Sequence, residues 1–297
     1  MTPTLQPGDE VVASDSLTPV PGDLVVFEHP QRTGFWMIKR LIDEDGRVLS
    51  DNRTVTEADS RTLGPIDVSR MLTVVDQLDE DTFAQACHLL ADEDPALAAV
   101  IDRWGVPEFW HRAPGFATLV LLVLEQQVSL ESGAAMFGRL HGLLGEVSPA
   151  TVLAAGIGGL RAIGVTRQKA DYLTGLALMI QEGIIDLDEI AAAPPSDARQ
   201  SLMSVKGIGA WTADAYLLSA HRRPDTWPAG DRALQVGAAE VLGMSSVPSP
   251  GELELIAEPW RPVRAVAARL IWHSYLSRRG RVEPAPPASA RDDAVGA

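Results

Sequence analysis

The sequence of 297 residues holds one cysteine, Cys87, so it can form no intramolecular disulfide and cannot by cysteine ligation hold an iron–sulfur cluster or a structural zinc. It has no uninterrupted apolar run of the roughly 18 residues that a membrane span requires. Its first residues lack the basic-then-apolar build of a secretory signal. These absences exclude a disulfide-stapled secreted domain and a membrane partner, and the expected location is the cytoplasm. Positive charge is scarce as well: 25 Lys and Arg stand against 40 Asp and Glu, a net charge of −15. That balance argues against gripping nucleic acid through a broad basic surface, because phosphate neutralisation dominates such binding. The deficit is uneven, however. Acidic residues gather at Asp76, Asp79, Glu80, Asp81, Asp92, Glu93 and Asp94, whereas Arg261, Arg264, Arg269, Arg278, Arg279 and Arg281 crowd the C-terminal end and allow a local basic face.

What is present is enough for two ordinary domains, with 46% hydrophobic residues to build their cores. Residues 1–75 read as a small all-β domain, with short segments at Glu10–Ala13, Asp23–Phe27, Phe35–Leu41 and Arg47–Leu49 broken by Pro-Gly, Asp-Gly and Asp-Asn pairs. Residues 76–84 read as an acidic linker. From 85 to 283 the apolar spacing is helical, which predicts an all-α domain. Residues 284–297, rich in Pro, Ala and Asp, offer little to bury and are expected to be disordered. Thr166 is placed to cap a helix running from Arg167 toward Glu182, with Gly183 at its end, and Ser148-Pro149 marks another helix start. The stretch Phe116–Gly145 is too long for one typical helix, so a break is expected near Ser129 or Gly133.

The most informative stretch is Leu202-Met203-Ser204-Val205-Lys206-Gly207-Ile208-Gly209-Ala210-Trp211-Thr212-Ala213. It reads helix, tight turn, helix. Two glycines around Ile208 let the backbone turn sharply while the isoleucine plugs the turn into a core. The N–H groups at Gly207 and Gly209 then open a helix N-terminus, which can receive an anion such as a phosphate without a basic side chain. Taken alone, the same pattern also suits a hairpin built only for packing. Downstream, Pro228-Ala229-Gly230-Asp231 precedes a helix start at Arg232, where Asp231 can serve as its N-cap.

The two elements together resemble the DNA-3-methyladenine glycosylase II family of the helix-hairpin-helix glycosylase superfamily, whose pattern is a Lys-Gly-Ile-Gly-x-Trp-Thr-Ala hairpin followed by Pro-x-x-Asp. Similar blocks recur at Asp94-Pro95, Gly115-Phe116, Glu125-Gln126-Gln127-Val128-Ser129, Gly164-Val165-Thr166-Arg167-Gln168-Lys169-Ala170 and Trp260-Arg261-Pro262-Val263-Arg264, as far as Trp272. The resemblance implies an all-α helix-hairpin-helix glycosylase domain acting on alkylated purines in double-stranded DNA, as a monomer, with Asp231 as the essential carboxylate. It implies a pocket bounded by Trp211, Gln126, Gln127 and Trp272, with Gln127 the better candidate for the wedge that fills the gap left by a flipped base. The same two glutamines can also be no more than a helix end. Trp211 stands where lyase-competent relatives carry a nucleophilic lysine, so no Schiff base is expected and the strand should stay intact. Trp211 can stack on an electron-poor base or simply fill the core. Lys206, Gly207, Ile208, Gly209, Thr212, Arg232 and Arg264 are the candidate DNA contacts, the charged ones weighed against ordinary solvated side chains. No cofactor and no side-chain metal site is expected; relatives in the superfamily can hold a monovalent cation on hairpin carbonyls.

The N-terminal blocks Met1-Thr2-Pro3-Thr4-Leu5, Pro21-Gly22-Asp23-Leu24-Val25-Val26-Phe27, Ile38-Lys39-Arg40 and Asp59-Ser60-Arg61 resemble signal-peptidase-like proteases that use a Ser–Lys dyad. By that resemblance Lys39 is the general base. The nucleophilic serine would precede Met1, and a second family serine is Glu57 here, so the module reads as inactive, with Lys39 vestigial. Two readings compete with a glycosylase: a protease whose start lies further upstream, fused to a DNA-binding helical domain, and a DNA-damage binder without chemistry.

Overall fold

A computed structural model describes residues 11–15, 17–50, 59–109 and 112–282. The chain divides into two compact units, 1–78 and 79–297. The first holds strands β1 (Ala13–Ser14), β2 (Leu24–Glu28), β3 (Trp36–Leu41), β4 (Val48–Leu49) and β5 (Leu72–Val74), with a short helix α1 (Ser60–Leu63). Its sheet runs β1-β5-β2-β3-β4, every pair antiparallel. Alternation along β2 and β3 puts Val25, Phe27, Met37 and Leu41 on one face, where they pack with Val48, Ile66 and Met71. The expected β domain is therefore present. Strand β5 went unforeseen, since three residues at the end of a turn-rich stretch carry too short a pattern to read. Lys39 lies opposite Val25 in this sheet, half-buried; burial lowers its pKa while the Asp59 carboxylate opposes that shift. Asp59 itself is fully buried and held by the Arg61 guanidinium, which keeps its pKa low at about 2. The Met1 block, Glu57, Glu283 and the 284–297 tail lie outside the described residues.

The second unit is helical: α2 (Glu80–Glu93), α3 (Pro95–Trp104), α4 (Phe116–Glu125), α5 (Leu130–Leu144), α6 (Pro149–Ala162), α7 (Arg167–Gln181), α8 (Leu187–Ala192), α9 (Pro195–Met203), α10 (Ala210–Ser219), α11 (Arg232–Val241), α12 (Pro250–Ile256) and α13 (Arg264–Ser277). The stretch 76–84 needs correction as a linker. Asp79 caps α2 in a reciprocal box with Thr82, and Thr82 and Phe83 are already buried. Its acidic residues belong to a first helical turn, where negative charge meets the positive end of the helix dipole. Thr166 caps α7 and Ser148 caps α6, both as expected. The long stretch breaks after Glu125, with Ser129 capping α5.

Helix α4 is the axis of this unit. Its apolar run is buried nearly all round among α5, α7 and α10, and the Tyr216 hydroxyl accepts a 2.8 Å bond from the Gly115 amide to seat its start. No single helix among the described residues is long and apolar enough to cross a membrane. At the other end of the unit, α11 and α13 approach closely. A Cβ on Gly237 would stand 2.8 Å from Ile271 Cγ2 and 3.2 Å from the Ile271 carbonyl oxygen. Gly237→Ala should therefore destabilise the protein by about 1–3 kcal/mol through overpacking, read as a lower midpoint in urea denaturation.

Candidate active site

The hairpin forms between α9 and α10 as anticipated. Gly207 has φ +97°, a conformation that side chains other than glycine resist, and a Cβ there would fall 2.3 Å from Tyr172 Cγ on α7. Ile208 is buried, its amide bonded to the Val205 carbonyl at 3.0 Å. Gly209 caps α10 without any side-chain bond, so the first amides of that helix face outward unsatisfied by a cap, next to the exposed Lys206.

Across a cavity of about 1130 Å³ from this hairpin lies Asp231. It caps α11, with Oδ1 accepting from the Leu234 amide at 2.7 Å. The same oxygen accepts from Trp272 Nε1 of α13 at 2.9 Å, and Oδ2 accepts from Trp211 Nε1 of α10 at 2.7 Å. Three donors from three helices thus fix one carboxylate. Asp231 is thus the expected cap of α11, and it lines the cavity. Trp211 packs in part against the core and lines the cavity, with its indole N–H bonded to Asp231.

Gln126 ends α4, and its amide nitrogen donates to Gly207 O and Thr212 Oγ1, both at 2.9 Å. It ties the hairpin in place. Gln127 beside it is exposed, at φ +59°. Thr212 is buried and its hydroxyl accepts from Gln126, so its side chain is an internal brace and not a DNA contact. Arg264 also needs correction: it is buried, bonded to both carboxylate oxygens of Asp225 and close to Glu254 and Glu258. A buried guanidinium demands such partners, which leaves it unavailable to phosphate. Three more of the C-terminal arginines are engaged within the fold, while Arg281 is exposed at the cavity. Arg261 pairs with Asp225 and Glu258, Arg279 with Glu240, and Arg269 donates to the Glu108 carbonyl. Arg232 stays exposed at the cavity rim, reaching Gln235 at 3.3 Å.

Two features, one in the cavity wall and one beside it, escaped the sequence reading. Glu125 and Arg112 form a nearly buried bidentate pair in its wall, at 3.1 and 3.3 Å. Gly133 permits this, since a Cβ there would lie 2.5 Å from Glu125 Cγ. A lone acid at the end of the apolar run Phe116–Leu124 was the available signal. The second feature is Lys169, whose ammonium donates to the carbonyls of Leu124 at 2.7 Å and Gln126 at 2.9 Å.

Residues 120–262, which hold both the glycine-built hairpin and the helix-capping aspartate, match the model of the HhH-GPD superfamily base excision DNA repair protein. The C-terminal unit carries an HhH-GPD domain. More particularly, the chain is similar to DNA-3-methyladenine glycosylase of Bacillus subtilis, at 27% identity over 38% of this chain and 37% of that one. It is similar to DNA-3-methyladenine glycosylase 2 of Escherichia coli, at 27% identity over 59% of this chain and 64% of that one. The chain thus spans less than two thirds of the length of either relative. In fold it is similar to the Schizosaccharomyces pombe 3-methyladenine DNA glycosylase solved with abasic DNA, with TM-score 0.59 and 22% identity over 63% of this chain and 95% of that one.

Gly207→Ala should cost about 2–3 kcal/mol, because it combines a strained left-handed backbone with a clash against the Tyr172 ring. Urea denaturation measures the loss, and Tyr172→Ala in the same chain should recover the steric part of it.

Proposed function

We propose that this protein is a monofunctional DNA glycosylase that hydrolyses the N-glycosidic bond of alkylated purines such as 3-methyladenine and 7-methylguanine in double-stranded DNA, as a monomer in the cytoplasm. The observation that carries this reading is the three-donor clasp on Asp231 inside the cavity that the hairpin borders. Cleavage of the bond builds positive charge on the deoxyribose, and a carboxylate held at fixed orientation stabilises that charge with no reorganisation. Water then adds to the sugar carbon and gives its proton to Asp231. The alkylated base already carries positive charge and leaves as a neutral molecule, so no strong general acid is needed. The indole rings of Trp211 and Trp272 present π faces to such a cationic base. With tryptophan at position 211 there is no amine for a Schiff base, so the product is an abasic site in an intact strand.

DNA is received at the hairpin, by the amides that open α10, with Lys206 and Arg232 beside them and Gln127 as the wedge. A monovalent cation fits the hairpin only on backbone carbonyls. Those of Leu202 and Val205 accept turn bonds from the Val205 and Ile208 amides, and that of Gly207 is engaged by Gln126. Such an ion would add positive charge near the phosphate. A purely binding role has no use for a carboxylate held in this way facing a polyanion, and the protease reading finds no support, since Lys39 answers to Asp59 in a separate unit.

Asp231→Asn should lower base release from alkylated duplex by at least about a hundredfold, the scale on which removal of one electrostatic group acts. The assay counts free 3-methyladenine and 7-methylguanine; undiminished release would overturn the reading. With Lys206 and Arg232 as the basic side chains beside the hairpin amides, duplex affinity should fall with salt on a slope equivalent to about three neutralised phosphates, measured by fluorescence anisotropy.

A further inference from the structure

The block Gly164–Ala170 plays no part in the chemistry above, yet one of its residues reaches the cavity. The turn that follows α4 is weakly bonded to itself. Its two backbone bonds, Gln126 N to Val123 O and Val128 N to Glu125 O, are each 3.4 Å long, near the limit of hydrogen bonding. Within it Gln127 holds φ +59°, which a non-glycine residue adopts only when its surroundings impose it. The imposing contacts come from elsewhere. Lys169 on α7 crosses to the end of α4 and donates to the carbonyls of Leu124 and Gln126, on the near side of Gln127. The Gln126 side chain then joins the turn to Gly207 and Thr212 of the hairpin. A cation at a helix C-terminus satisfies free carbonyls and complements the dipole. Lys169 does so half-buried, its charge met by carbonyl oxygens, beside the Gln126–Gln127 turn that lines the cavity.

We propose that Lys169 is a positioning residue that presets the Gln126–Gln127 turn against the hairpin, so that Gln127 enters the duplex from a fixed backbone. The proposal rests on the glycosylase reading for its consequence, though not for its geometry. Without the ammonium, the turn is tethered only by its long backbone bonds and the Gln126 amide. Gln127 then samples other conformations, and filling the gap behind a flipped base slows. Asp231, clasped by α10, α11 and α13, does not depend on Lys169, so chemistry on a base that needs no flipping continues.

Two measurements on the full chain test this, using Lys169→Met, which keeps the aliphatic stem, and Lys169→Arg, which keeps charge and donors. In Lys169→Met the amides of 126–129 should exchange with deuterium at least about tenfold faster than in wild type, with Arg restoring much of the protection. Single-turnover excision from alkylated duplex should fall at least about tenfold, while excision from an alkylated single strand falls less than about threefold. Unchanged exchange overturns the proposal. So does an equal fall on duplex and single strand, which would mean that Lys169 merely supports the fold. If wild type itself releases no base, the glycosylase reading fails separately and exchange alone decides the turn. Should Lys169→Met lose its cooperative melt, Lys169→Gln, which keeps an N–H donor, is carried through the same two measurements.

Discussion

The arrangement of the helical unit around its cavity turns on one carboxylate accepting three N–H bonds. Asp231 is met by the amide of Leu234 on α11 and by the indoles of Trp211 on α10 and Trp272 on α13. Because each donor belongs to a different helix, the clasp holds only if the three helices keep their mutual positions. The close approach of α11 to α13 at Gly237 maintains one side of this arrangement, and the hairpin that launches α10 maintains the other. A charged group so placed needs no rearrangement when positive charge develops on a bound sugar. The bonds that stabilise the fold locally and those that aim the carboxylate are the same bonds.

The second constraint is charge. The chain carries a net charge of −15, and several of its C-terminal arginines are engaged within the fold and not on a basic face. Arg261, Arg264 and Arg279 are drawn into pairs with Asp225, Glu258 and Glu240. The amides that open α10 at the hairpin carry partial positive charge that costs nothing in the net balance. The acidic residues are partly structural too, with Asp79 and Asp94 capping α2 and α3 and Asp94 also accepting from Trp260 at 2.8 Å.

The sheet unit is a separate structure with its own apolar core. Its buried Asp59 and half-buried Lys39 are partners in charge, which gives both a structural account.

Read by itself, the sequence determined what chain neighbours decide. The β-then-α order, the caps at Ser148 and Thr166, the break before Ser129, the hairpin plugged by Ile208 and the capping role of Asp231 all follow from residues a few positions apart, through backbone preference and local hydrogen bonding. The start of α2 was misread because acidic residues suit a solvated linker and a helix N-terminus equally. What only the tertiary structure decided lies between residues distant in the chain. Trp211 and Trp272 stand 20 and 41 positions from the Asp231 they hold, Gln126 reaches the hairpin across 81 positions, and Arg264 meets Asp225 across 39. Whether a tryptophan fills a core or grips a carboxylate, and whether an arginine faces phosphate or a buried acid, depends on which helices pack together, and no local pattern encodes that choice.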